Sequence, residues 1–139
     1  MIKEFTNLSL VDEIVEEAHR RRSDLKVESF KKHLISSMIA NDSYIKIDTL
    51  DGEVIGFMFA TVQEFMGEPI SFVQEAFTTE KGKTSLRDLL DDLESWSHSK
   101  DLTGIYFVTS RNPKAWTRKY NFDHIAAIMK VATIIKRRI

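Results

Sequence analysis

Two short stretches carry the residue types from which chemistry is built. The first is Glu80-Lys81-Gly82-Lys83-Thr84-Ser85, between an apolar run and an amphipathic one. Gly-Lys-Thr ahead of a helix spells a phosphate-binding turn, in which unpaired N–H groups and the positive end of the helix dipole stabilise an anion. The nucleotide-binding form GxxxxGK[ST] fails on spacing. Phe77 stands where its first glycine must let the backbone curl round a phosphate. The second stretch is ISFVQEAF (70–77), with Glu75 among apolar neighbours. Taking a carboxylate out of water raises its pKa toward the range of a general base. The same residue also reads as a strand-edge or bulge carboxylate paired with a nearby Lys or Arg, and both readings stand. Glu64 and Glu68 flank a turn and are secondary candidates.

Composition narrows the chemistry. The 139 residues contain no cysteine, which excludes disulfides, thiolate nucleophiles and cysteine-ligated metal sites. His19, His33, His98 and His124 show no close pairing of the HExxH kind, so no metal is expected. With 20 basic and 21 acidic residues, the charge gives no reason to expect nucleic acid or an anionic membrane as partner. The N-terminal segment lacks the apolar run of a signal peptide, and no segment approaches the roughly 20 apolar residues of a membrane span. The expectation is a cytoplasmic protein of one domain, residues 1–139.

These candidates depend on the elements that position them. Ile2–Phe5 is a short strand. Ser9 and Asp12 have capping-box spacing, and Val11, Ile14, Val15 and Ala18 place a helix up to about Arg22. Val27, Phe30, Leu34 and Met38 mark a second helix. The period then changes: YIKIDTL alternates, Asp51-Gly52 signals a type I′ hairpin, and EVIGFMFATV is the partner strand. Met66–Pro69 turns into the strand at 70–77, which is apolar on both faces apart from Gln74 and Glu75. Ser85 and Asp88 form a second capping-box pattern, and Leu86, Leu89, Leu90, Leu93 and Trp96 form a helical stripe. GIYFVT (104–109) is a buried strand, parallel to 70–77 through the intervening helix. Asn112-Pro113 starts a short helix. FDHIAAIMKVATII is strand material, one long bent strand or two.

The order β-α-α-β-β-β-α-β-α-β(-β), a mixed, largely antiparallel α+β sheet with one central parallel βαβ crossover, resembles the GNAT superfamily of N-acetyltransferases over essentially the whole chain. In that family a loop [RQ]xxGx[GA] before the third helix binds the pyrophosphate of acetyl-CoA. Aligned on Leu89-Leu90, the motif falls on Lys81-Gly82-Lys83-Thr84-Ser85-Leu86, with Thr84 and Leu86 in the small positions; a two-residue shift puts Gly82 on the first glycine. The resemblance implies acetyl-CoA as cosubstrate, held by Phe77, Thr79, Lys81, Gly82, Lys83, Thr84, Ser85 and Asn112. The other reading of the loop has Ser85 capping the helix, Leu86 opening its core stripe and the lysines solvated. Asn112, Ala115, Tyr120 and Asn121-Phe122 answer a second family pattern, two residues short, and its NPKAW form is similar to small acetyltransferase-like proteins of tailed bacteriophages.

The resemblance implies direct attack of an amine on the thioester in a ternary complex, with Glu75 as base and Tyr120 as the acid that protonates the thiolate. Aligned on Phe122, the tyrosine slot holds Thr117 instead. Tyr106 and Trp96 read as core. The implied partner is a small-molecule or protein amine, with a homodimer left open. The alternative is a GNAT-like structural or interaction module that no longer binds cofactor, and a nucleic-acid-binding module comes third.

Overall fold

The computed structural model describes residues 1–40, 42–109, 118, 120, 122–128 and 132–138. Its elements run β1 (Ile2–Glu4), α1 (Val11–Arg21), α2 (Val27–Ile39), β2 (Ser43–Leu50), β3 (Glu53–Phe65), β4 (Glu68–Thr78), α3 (Ser85–Ser99), β5 (Gly104–Thr109), β6 (Asp123–Ile128) and β7 (Ala132–Arg138). The strands are hydrogen-bonded in the order β1-β2-β3-β4-β5-β7-β6. The chain forms two compact units, Met1–Ala60 with Glu75–Leu89 and Thr61–Gln74 with Leu90–Ile139. None of the helices among the described residues is long and apolar enough to cross a membrane.

In the first unit β1 pairs antiparallel with β2, Ile2 opposite Asp48 and Glu4 opposite Lys46. Asp51 and Gly52 turn β2 into β3 with φ of 52° and 79°, the two left-handed positions of a type I′ turn. The apolar stripes of α1 and α2 face one side of these strands. Val11, Ile14, Val15, Ala18, Phe30 and Leu34 pack with Phe5, Ile45, Ile47, Phe57, Phe59 and Phe77 in one core. Phe57 meets Phe5 edge-on at 6.0 Å and stacks on Phe77 at 5.4 Å. Burying a side chain of this size stabilises by about 1.5–3 kcal/mol.

Strand side chains alternate, so the neighbours of these core residues face the other way. Tyr44 and Asp48 are buried on that second face of β2. There the Tyr44 hydroxyl donates to the Leu89 carbonyl of α3 at 3.4 Å. On β3 the alternation brings Gly56 to the same side, where a Cβ would lie 2.5 Å from Oγ of Ser85. The missing side chain lets the first turn of α3 settle onto the strand.

In the second unit β4 and β5 are parallel, Ser71 to Val73 opposite Ile105 to Phe107, as the βαβ pattern requires. The C-terminal segment makes two strands, not one. β7 pairs antiparallel with β5 along its length, and β6 pairs with β7 through an irregularity between His124 and Ala126. Ser71 and Ser97, both fully buried, join β4 to α3 by a 2.6 Å hydroxyl contact. Tyr106 is core, against Ile70 and the ring of Phe65 at 4.8 Å. Trp96 is only half-buried, with the Lys100 ammonium 5.8 Å from its ring centre.

Neither capping box forms. Ser9 gives its N–H (3.0 Å) and hydroxyl (2.6 Å) to Asn7, in a 3₁₀ turn (Leu8–Leu10) that precedes α1. α1 therefore has Leu10 as its N-cap and no side-chain cap. Ser85 is the first residue of α3, and its hydroxyl goes to Asp48. Thr84 takes the cap position, its carbonyl accepting from the N–H of Asp88 at 3.0 Å. In both places a nearby oxygen outside the pattern wins the serine hydroxyl.

Candidate functional site

The candidate residues of the first unit fall into two groups. The first is the segment from β4 into α3. Thr79 donates its N–H to the Ile55 carbonyl at 2.9 Å, fixing the loop to β3. The N–H groups of Gly82 and Ser85 then go to the carbonyls of Thr79 and Gly82, each at 3.0 Å. Gly82 is buried so tightly that an added Cβ would overlap the Ile55 carbonyl oxygen. Close approach to β3 is thus a sufficient reason for glycine here. Lys81 pairs with Glu53 at 2.9 Å, both half or more exposed, while Lys83 is exposed. The Thr84 hydroxyl reaches Asp88 at 3.3 Å, and Leu86 is half-buried.

Behind this turn lies Asp48, a residue sequence reasoning missed. Its side chain accepts from the Ser85 hydroxyl at 2.5 Å and from the Met1 ammonium at 2.8 Å. Burial pushes its pKa up, but these charge-assisted bonds outweigh it and hold the carboxyl below its usual 3.8. Gly56 was missed too, although a lone glycine inside a strand pattern signals close backbone approach.

As a test of the loop as an anion site, the amide N–H groups of Gly82 and Ser85 are already spent. Those of Leu86 and Arg87, in the first turn of α3, have no acceptor four residues earlier within the helix. With Lys83 they form a donor set that suits a phosphate in part.

The second group surrounds Glu75. Its Oε1 accepts from the N–H of Ala76 at 3.1 Å, and its Oε2 is buried with no hydrogen-bond partner among the described residues. Arg22, the C-cap of α1, brings Nη1 to 3.5 Å from Oε2. Burial raises the carboxyl above its usual 4.5, Arg22 and the Ala76 N–H oppose the rise, and Asp24 adds to it. Burial and an arginine thus act on the same carboxyl in opposite directions. It is a carboxylate of raised pKa and it has an arginine partner. The rest of the α1 terminus is anchored alongside. Arg21 donates to the Thr78 carbonyl at 3.1 Å, lies 5.1 Å from the Phe77 ring centre and pairs, like Arg20, with Glu17.

Glu75 and Phe77 thus gather with the end of α1, whereas Thr79, Gly82 and Ser85 gather on the backbone of β3. In the second unit Tyr120 is half-buried, and its carbonyl accepts from Arg137 at 3.0 and 2.8 Å. Asn112 and Thr117 lie outside the described residues, as does the start of the predicted fourth helix.

No family model matches the chain, and no curated protein matches it. Solved structures do. The PaiA N-acetyltransferase of Thermoplasma acidophilum in complex with coenzyme A aligns over 100% of this chain and 98% of its own, at 13% identity and a TM-score of 0.74. An acetyltransferase of Thermus thermophilus aligns over 100% and 97%, at 14% identity and 0.76. A ribosomal-protein-alanine N-acetyltransferase of Brucella melitensis aligns over 100% and 99%, at 10% identity and 0.77. The likeness establishes the fold, the GNAT acyl-CoA N-acyltransferase architecture, in agreement with the sequence resemblance.

Proposed function

We propose that this protein is an acetyl-CoA-dependent N-acetyltransferase that joins acetyl to an amine by direct attack, with Glu75 as general base. The observation that carries the reading is the Glu75 carboxylate. It is raised in pKa by burial, anchored through one oxygen and without a hydrogen-bond donor at the other, which has only the Arg22 ion pair. Fold likeness to a coenzyme A complex supports the cosubstrate.

An acceptor amine arrives at neutral pH as ammonium and cannot attack until it loses a proton. Oε2 of Glu75 takes that proton, and a raised pKa makes it a better acceptor than an ordinary carboxylate. The freed lone pair forms the C–N bond as the thioester C–S bond breaks, and the departing thiolate takes a proton. Tyr120 is the proposed donor. Acetyl-CoA supplies the acyl group; Lys83, with the first-turn N–H groups of α3, is the proposed hold on its phosphates.

One observation favours a second reading, a GNAT-like module that has lost the cofactor. The N–H groups of Gly82 and Ser85 and the Ser85 hydroxyl all have internal partners. Calorimetric titration with acetyl-CoA, CoA and ATP separates the two. Saturable micromolar binding of the first two but not ATP supports the enzyme. Absence of heat at millimolar ligand from folded protein, with binding restored by Leu86→Gly, supports a decayed site.

A further inference from the structure

Arg22 differs from its neighbours on α1. The guanidinium groups of Arg20 and Arg21 hydrogen-bond to Glu17, and Arg21 also to the Thr78 carbonyl. The side chain of Arg22 makes no hydrogen bond among the described residues. It has ion-pair contacts alone, at 3.5 Å to Glu75 and 3.9 Å to an exposed Asp24, and it is half exposed. Opposite it, Oε2 of Glu75 is buried and lacks a hydrogen-bond donor. A cation with all its donors unspent thus stands beside an anion with an acceptor unspent.

We propose that Arg22 is the acceptor-specificity residue and that the acceptor is a zwitterion, an α-amino acid whose carboxylate takes Arg22 while its ammonium takes Oε2 of Glu75. The assignment rests on the transferase reading above. A guanidinium matches a carboxylate with two parallel donors, which the unspent N–H groups can supply. The two charges of an α-amino acid flank a single carbon, a spacing suited to charges 3.5 Å apart. Swapping the internal pair for two external ones keeps every charge compensated.

A plain amine fares worse for a physical reason. Its ammonium must reach an oxygen already neighboured by Arg22, and like charges repel it. It offers the guanidinium nothing in exchange. An acceptor bearing a carboxylate draws Arg22 toward itself and uncovers Oε2 in the same movement. A peptide N-terminus has the amine without the adjacent carboxylate, so it falls with the plain amines.

The test measures CoA thiol release with L-alanine, L-leucine and L-glutamate, each against its α-amide, and with 1,5-diaminopentane. Acetyl-CoA binding is followed separately by calorimetry. The expected result is a kcat/KM for the free acid about 10- to 100-fold above that of its amide, the range of a lost charge-assisted hydrogen bond. In Arg22→Gln that ratio collapses toward one, mainly through KM, and Arg22→Lys retains part of it. Thermal melting of the variants checks folding. Amides or the diamine reacting as fast as the free acids overturn the proposal and leave the transferase reading intact. So does a ratio that survives Arg22→Gln, or a protein that binds acetyl-CoA but acetylates none of the acids. Failure to bind acetyl-CoA at all, with no thiol release, removes the transferase reading and this proposal with it.

Discussion

The hydroxyl of Ser85 donates to Oδ2 of Asp48 across 2.5 Å, tying the first residue of α3 to the buried second face of β2. This bond takes the serine away from the helix-capping role its spacing suggested. It also gives the start of α3 a buried negative charge. Anions near a helix N-terminus are stabilising, so Asp48 offsets part of the dipole that a bound phosphate would use.

Asp48→Asn should therefore destabilise the protein by about 2 kcal/mol at neutral pH, the scale of a hydrogen bond to a charged group. Because the folded carboxyl lies below its usual 3.8, its contribution is present above that value and disappears as pH falls through the folded pKa. Urea unfolding of both proteins at pH 7 and pH 3 should show the gap closing at the acid end. A gap that is constant with pH would show that the charge of Asp48 is irrelevant.

Glu75 works in the opposite direction. A carboxyl raised by burial contributes stability at low pH that is lost as pH rises from its ordinary 4.5 through the raised value. Glu75→Gln should gain stability over the parent as pH increases, and match it more closely near pH 4. The same variant should lose about 100- to 10,000-fold in acetyl transfer while keeping acetyl-CoA affinity. Melting curves across pH, paired with calorimetry, check both parts.

Gly82→Ala places a methyl group on the carbonyl oxygen of Ile55, which belongs to backbone and cannot rotate away. Overpacking of this kind costs about 1–3 kcal/mol. The φ of Gly82 is not in the left-handed region, so the cost is one of space. A chemical denaturation midpoint equal to that of the parent would show that the loop is not seated on β3.

The two buried serines of the second unit should be unequal. Ser97 spends its single hydroxyl proton on the Leu93 carbonyl at 2.7 Å, so Ser71 is the donor in their contact. Ser71→Ala leaves Ser97 with its donor bond and should cost about 1 kcal/mol. Ser97→Ala strands the buried Ser71 hydroxyl, and its cost should approach about 3 kcal/mol. Equal losses in urea titrations would overturn the donor assignment.

Much of the architecture was legible because it rests on short-range physics. The helical stripes at Val11–Ala18 and Leu89–Leu93 and the hairpin at Asp51-Gly52 follow from period and from turn chemistry within a few residues. So does the parallel pairing of β4 with β5, which a strand–helix–strand succession enforces. Division of the last segment into β6 and β7 was not legible, because no turn residues mark it.

The candidate site divides along the same line. Sequence by itself singled out Glu75 and the Lys81–Ser85 turn, since a carboxylate in an apolar run and a glycine before a helix are local anomalies. Tertiary structure alone decided their partners. It set Arg22 beside Glu75, gave Ser85 to Asp48 and packed Gly82 on Ile55. Periodicity tells a side chain which face to take; which group waits there depends on segments far away along the chain, brought in by burial of the core.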